Sequence, residues 1–185
     1  SDIMDLVCGS GRHARYLATK GFDVVGVDIS EDNIQEASKW ENKHLSFFQH
    51  DMRKLFRINY FHYIFNFFTS FGYFEHPLDN ERTLKAVNKG LRPGGCFTID
   101  FLNAKKVIAN IVTEETKTIK DIDFHLKRRY DNGYIIKEIS FTVKDKDYHF
   151  AERVEALTLS DFKDLFQKTG FEIKDVFGDY QLGEY

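Results

Sequence analysis

Proline is scarce, with 2 in 185 residues, where an average composition of about 5% would supply roughly nine. That excludes a proline-rich linker and points to one globular stretch. Cysteine is as rare, also 2 residues, too few for a secreted disulfide framework, and neither has a ligand-type neighbour at the short spacing of a metal site. Long apolar runs are missing: none exceeds three residues, as in Leu6-Val7-Cys8 and Tyr134-Ile135-Ile136, against the roughly 18 a membrane span requires. Ser1-Asp2-Ile3-Met4 has neither a basic leader nor an apolar signal segment, so a cytoplasmic protein is expected. Charge of one sign is lacking too, with 26 Lys plus Arg against 29 Asp plus Glu and a net charge of −3. The longest basic stretch is Lys127-Arg128-Arg129, which argues against a phosphate-backbone binder and for small-molecule partners.

What is present is material for a core: 19 Phe, 9 Tyr and 1 Trp within a 42% hydrophobic chain. The first hundred residues alternate between β-rich runs and helical periods. Ile3 to Cys8, Phe22 to Asp28, Leu45 to His50, Tyr60 to Phe65 and Cys96 to Phe101 read as five strands. Between them fall a helix ending at Gly21, one over Glu31 to Lys43 capped by Ser30, and one over Asn80 to Leu91, while Arg92-Pro93-Gly94-Gly95 reads as a turn. Strands joined by crossovers in this way predict an α/β fold with a doubly wound parallel sheet.

After Asn103 the period changes. A short helical stretch over Ala104 to Val112 precedes three alternating runs at Ile119 to Tyr130, Tyr134 to Val143 and Tyr148 to Leu157. They predict two hairpins forming a small antiparallel β insertion over residues 113–157. Thr158 with Asp161 resembles a capping box opening a last helix, and Phe171 to Phe177 returns to strand character. The expected organisation is one domain, with a core over 1–103, the insertion over 113–157 and a return to the core over 158–185.

The most informative segment is Asp5-Leu6-Val7-Cys8-Gly9-Ser10-Gly11-Arg12-His13. A strand that breaks into G-x-G before a helix brings bare backbone and a helix N-terminus close to a ligand. Gly9 to Ala14 satisfies the permissive dinucleotide pattern G-x-G-x-x-G/A, and Asp28 follows Gly9 by 19 residues, placed to accept from ribose hydroxyls. A nucleoside-bearing cofactor is the expectation; the alternative is a turn needed only for packing.

With Gly21-Phe22-Asp23-Val24-Val25-Gly26-Val27-Asp28-Ile29-Ser30, Gln49-His50-Asp51-Met52, the aromatic stretch Asn66 to Phe74 and Leu91-Arg92-Pro93-Gly94-Gly95, the chain resembles the class I S-adenosylmethionine-dependent methyltransferases. The resemblance runs from Asp2 to about Asn103 in order and continues at Leu159 to Phe177. It implies a Rossmann-like sheet with helices on both faces, and S-adenosylmethionine as cofactor with S-adenosylhomocysteine as product. Gly9 and Gly11 would border the methionine portion, with Asp5 shaping the turn from below. Asp28 would bind the ribose hydroxyls, with Ile29 beside it. Asp51 would accept from the adenine amine, Met52 would pack on the ring and offer its amide, and Asn66 would sit beside the methionyl group. Two departures stand out: Arg12 replaces a frequent third glycine, and Cys8, read as packing, stands where a small or apolar residue is usual.

Methyl transfer from a sulfonium is an in-line displacement that a general base need not assist. His13, Tyr73, His76 and His125 are candidates for one, but none is assigned a catalytic role. Arg129 and Arg153 offer positive charge for an anionic acceptor. The insertion leaves after the fifth strand, so it is expected to lid the acceptor site; a dimer contact or a solvated flap stays open. Nucleic-acid methylation is disfavoured, since Asn66-Phe67-Phe68-Thr69 contains no proline and neither cysteine follows one. Two further alternatives remain: an NAD-dependent oxidoreductase using the same glycine turn, and a noncatalytic ligand-binding domain of the same fold. Against the family's pattern the chain is expected to lack a leading helical segment and a final strand.

Overall fold

Alternation along the first strands sorts side chains onto two faces of a sheet in the computed structural model, which describes residues 1–185. In β1 (Asp2–Leu6) and β2 (Asp23–Asp28), Met4, Leu6, Val25 and Val27 join one buried cluster, whereas Ile3 and Val24 join another. The first cluster takes Val87 from α3 (Leu78–Gly90). The second takes Ala14 from α1 (Arg12–Thr19) and Ala37 from α2 (Glu31–Ser38). Helices therefore cover both faces. With β3 (Leu45–Gln49), β4 (Phe61–Asn66) and β5 (Leu91–Ile99), the strands pair in parallel in the order β3-β2-β1-β4-β5. This is the expected doubly wound sheet.

The chain divides into two units. The sheet belongs to the first, made of Ser1–Phe67, His76–Ile99 and Leu159–Tyr185. Phe61, Ile64 and Leu84 are at most 1% exposed, and each such side chain contributes about 1.5–3 kcal/mol by burial. Ser30 caps α2 by accepting from Asn33 N at 3.3 Å, as its position predicts. Helix α5 (Leu159–Thr169) is tied to α3 where Asn88 Nδ2 donates to Thr169 O at 3.0 Å.

Three local expectations change here. The Arg92 to Gly95 turn lies inside β5: Phe61 pairs with Leu91 but Tyr63 with Cys96, so the proline and the positive-φ Gly94 (φ 77) bulge out of a continuing strand. Strand β1 stops two residues early because Val7 adopts φ 64. Phe171 to Phe177 is not a strand; its pairing is a single bridge from Phe177 to Glu184. Phe171 instead packs on Phe97 and Phe166, so its apolar spacing served packing without a ladder.

The second unit comprises Phe68–Glu75 and Asp100–Thr158. Besides α4 (Ala104–Ala109) it holds a four-stranded antiparallel meander of β6 (Glu114–Ile119), β7 (Ile122–Asp131), β8 (Tyr134–Val143) and β9 (Lys146–Glu155). The sequence suggested three strands, and β6 is the addition. All three hairpins turn through two residues at positive φ, Lys120-Asp121, Asn132-Gly133 and Lys144-Asp145. That geometry matches the right-handed twist of the flanking strands. Along one face Phe141 meets Phe124 at 4.7 Å and stacks on Tyr148 at 5.1 Å.

Candidate functional site

The order β3-β2-β1-β4-β5 reverses direction between β1 and β4, and open sheets of this kind bind ligands beyond the carboxyl ends of the strands at such a point. The glycine turn emerges there. Gly11, at φ 81, is the N-cap of α1 and offers no side chain. The missing cap comes from below, where the Asp5 carboxylate accepts from Ala14 N at 3.1 Å. Asp5 is 1% exposed, and burial raises its pKa from 3.8 to about 6.

The two glycines have different surroundings. A Cβ on Gly11 would lie 2.5 Å from Phe47 Cζ and 3.3 Å from Ala37 Cβ. A Cβ on Gly9, at φ 55, would meet no atom within 4 Å. Gly11 is thus needed for packing over the Phe47 ring, whereas Gly9 opens backbone to the crevice. Cys8 between β1 and the turn is a buried free thiol, and burial pushes its pKa up, as a packing role requires.

Asp28 closes the turn from β2. Its Oδ2 accepts from Gly9 N at 2.9 Å, and its Oδ1 from Ser30 N at 2.9 Å and Asn33 Nδ2 at 3.4 Å. A carboxylate has about four acceptor sites, so one remains on Oδ2 for a ligand hydroxyl. Ile29 beside it is 62% exposed while its carbonyl is held by Gln49 Nε2 at 3.1 Å. From β4, Asn66 donates Nδ2 to Leu6 O at 2.9 Å, yet its fully buried Oδ1 has no hydrogen-bond partner. A buried acceptor without a donor is costly, about 1–3 kcal/mol, so a donor supplied to it would be favoured.

Asp51 and Met52 lie in the loop after β3, joined to the end of β2 by His50 N donating to Asp28 O at 2.8 Å. Met52 packs against the core. Asp51 is gripped by Arg53, whose Nε and Nη2 reach its two oxygens at 2.8–3.1 Å while Arg53 N donates to Oδ1 at 3.0 Å. Arg53 Nη1 continues to Asp79 at 3.0 Å. The hydrogen bonds from Arg53 hold the Asp51 and Asp79 carboxyls below their ordinary range.

The proton-acceptor candidates scatter. His13, in the first turn of α1, lies 5.2 Å from the Phe67 ring, and burial followed by the charge of Arg12 lowers its pKa. His76 Nδ1 accepts from Leu78 N at 3.2 Å, capping α3. His125 pairs with Thr116 at 3.1 Å on the meander. Burial raises the Tyr73 pKa, with Glu152 adding to it. Arg129 is paired with Glu138 at 3.0 Å, and Arg153 lies over the Tyr134 ring at 3.5 Å, so both charges are engaged within their own unit. Asn33, Phe47 and Arg53 were not singled out from the sequence; an Asp and an Arg two apart in a loop was the available signal for the last.

Comparison with known proteins finds similarity in sequence and in fold. A family model described as "Methyltransferase domain" matches residues 3–95. The putative methyltransferase YqeM of Bacillus subtilis is 28% identical over 189 residues, covering 96% of this chain and 76% of its own length. The dTDP-3-amino-3,4,6-trideoxy-alpha-D-glucopyranose N,N-dimethyltransferase of Streptomyces venezuelae is 26% identical over 100 residues, 54% of this chain and 42% of that protein. A solved S-adenosylmethionine-dependent methyltransferase from Clostridium acetobutylicum superposes with a TM-score of 0.87 at 21% identity, covering 100% of this chain and 78% of that one.

Proposed function

The chain belongs to the methyltransferase domain family, and from that premise we propose that it transfers a methyl group from S-adenosylmethionine to a small-molecule acceptor. When bound, the cofactor supplies a methyl group activated on a sulfonium. The observation that carries the reading is the partnerless Oδ1 of Asn66, buried at the end of β4 beside β1. It fits the α-ammonium of a methionyl tail, a donor that would satisfy it. The open approach at Gly9 fits the same tail. The remaining site on Asp28 Oδ2 fits a ribose hydroxyl, and exposed Ile29 offers an apolar surface for a base.

The residues then divide the work. Asp5 and Phe47 hold the turn, Asp28 and Asn66 orient the cofactor, Gly11 lets the turn lie flat on the sheet, and Asp51 with Met52 receives the base. Alignment of the acceptor for in-line attack and exclusion of water supply the rate. The Streptomyces relative is named for methylating an amine, and a neutral amine is the acceptor type that needs no strong base. Amines are therefore the first acceptors to try.

The test is turnover. The protein is incubated with S-adenosylmethionine and a panel of amines, hydroxy acids and thiols, and acceptor-dependent formation of S-adenosylhomocysteine is followed. Stimulation by an amine is expected. Stabilisation by NAD without stabilisation by S-adenosylhomocysteine would instead identify a nicotinamide enzyme.

A further inference from the structure

The meander ends on β9, an edge strand of 10 residues whose ladder partner is β8. Residues 146–153 are all exposed. The strand contains no proline, and its register with β8 is unbroken from Lys146 to Glu155, so it lacks the shortness, proline or bulge that commonly protects an edge. Hydrogen bonds at its end fix which way its backbone faces. Ala156 N donates to Gly133 O at 2.8 Å, on the β8 side, whereas Glu155 N, which points the opposite way, donates to Gly72 O at 2.8 Å. Alternation along the pleat then turns the amides and carbonyls of Asp147, His149, Ala151 and Arg153 to the outer edge. Lys146, Tyr148, Phe150 and Glu152 share one face of the strand. Phe141 of β8 stacks on Tyr148 and Phe150 at 5.1 and 6.0 Å, which leaves these two rings 39% and 55% exposed. Glu152 holds Lys137 at 3.2 Å with half of its side chain still exposed. This face therefore runs from a cation through two aromatic rings to an anion, a pattern complementary to its own reverse.

We propose that β9 pairs antiparallel with β9 of a second copy of this chain, about a two-fold axis at His149. Only an axis through a residue sets outward backbone groups against outward groups. At His149 it makes three hydrogen-bonded pairs: Asp147 with the partner's Ala151, His149 with the partner's His149, and Ala151 with the partner's Asp147. Each pair exchanges two bonds, about six in all. The closer positions between them set Tyr148 against the partner's Phe150 and Lys146 against the partner's Glu152, each twice. An axis at Tyr148 would instead oppose Lys146 to the partner's Phe150. An axis at Phe150 would oppose Lys146 to the partner's Val154 and crowd the Gly72 segment that occupies the edge at Glu155. Two four-stranded sheets become one of eight strands, and the two-fold closes the assembly at two copies.

Sedimentation velocity of the intact chain over a concentration series, with folding checked by circular dichroism, tests this surface. The wild type should show a monomer–dimer equilibrium and no larger species. Lys146→Glu and Glu152→Lys each place like charges opposite one another at both positions and should weaken the dimer about tenfold or more. An equimolar mixture of the two variants restores opposite charges at both positions and should dimerise with about the wild-type affinity, a rescue that a folding fault in either variant would not give. Phe150→Ser, which leaves both charges in place, should weaken the dimer as well. A wild type that stays monomeric or forms open-ended polymers would overturn the proposal. Variants that dimerise like the wild type, or a mixture no tighter than its components, would do the same.

Discussion

Substituting alanine at the two glycines of the turn separates packing from ligand access. At Gly11 the new Cβ would stand 2.5 Å from Cζ and 2.6 Å from Cε1 of Phe47, a ring 5% exposed that has little room to yield. Left-handed backbone (φ 81 at Gly11) costs a residue with a Cβ roughly 1–2 kcal/mol, and forcing atoms into a filled core costs about 1–3 kcal/mol more. Gly11→Ala should therefore lose about 2–5 kcal/mol in urea unfolding followed by circular dichroism. At Gly9 only the first cost applies, because its Cβ would meet no atom within 4 Å, so Gly9→Ala should lose roughly 1–2 kcal/mol. Its methyl group would occupy the approach proposed for the methionyl tail, and S-adenosylhomocysteine affinity should fall about tenfold or more, as misplacing a bound group by a methyl's width does. Phe47→Leu combined with Gly11→Ala should destabilise by less than the sum of the single changes, since the two sites share one contact. Equal destabilisation by the two alanines, or wild-type affinity in Gly9→Ala, would refute this division of labour.

Asp5 predicts an acid-side effect. Its pKa is raised in the folded chain, from 3.8 to about 6, so the native state binds its proton more tightly than the unfolded state does. This contribution is therefore lost as pH rises from about 4 to about 6, by roughly 3 kcal/mol in total at about 1.4 kcal/mol per unit. Asp5→Asn should remove that slope from the pH dependence of urea unfolding, and superimposable slopes in variant and wild type would count against the burial argument. Asn66→Leu removes a buried orphan acceptor costing about 1–3 kcal/mol but also takes from Leu6 O its side-chain donor, a penalty of similar size. Its stability should stay within about 1 kcal/mol of wild type while S-adenosylhomocysteine binding weakens. A loss of more than about 3 kcal/mol with unchanged binding would make Asn66 a structural residue.

Much of the parallel sheet was legible because its strands are buried on both faces and read as apolar runs separated by helical periods. The places of Asp28 and Asn66, at the ends of β2 and β4, were legible because a strand run followed by a break fixes where its last side chain lies. The β6 strand escaped because Glu114–Ile119 is polar, with burial limited to Glu115, and the turn after it is Lys120-Asp121 rather than a glycine-bearing pair. Phe171 to Phe177 misled because apolar alternation reports a buried side, and a strand also needs a neighbour to pair with. The division of roles between Gly9 and Gly11 depends on Phe47, a contact 36 residues from Gly11 in sequence that no local pattern encodes. The same holds for the Asp51, Arg53 and Asp79 relay, whose last member lies 26 residues from Arg53 on another element.

The most direct test of the central claim is a calorimetric titration of the wild type and Asp28→Asn with S-adenosylhomocysteine, with NAD titrated in parallel and folding checked by thermal unfolding. The account predicts saturable binding of S-adenosylhomocysteine to the wild type, a clear loss of affinity in folded Asp28→Asn, and no comparable binding of NAD. Undiminished affinity in Asp28→Asn, or binding of NAD alone, would contradict it.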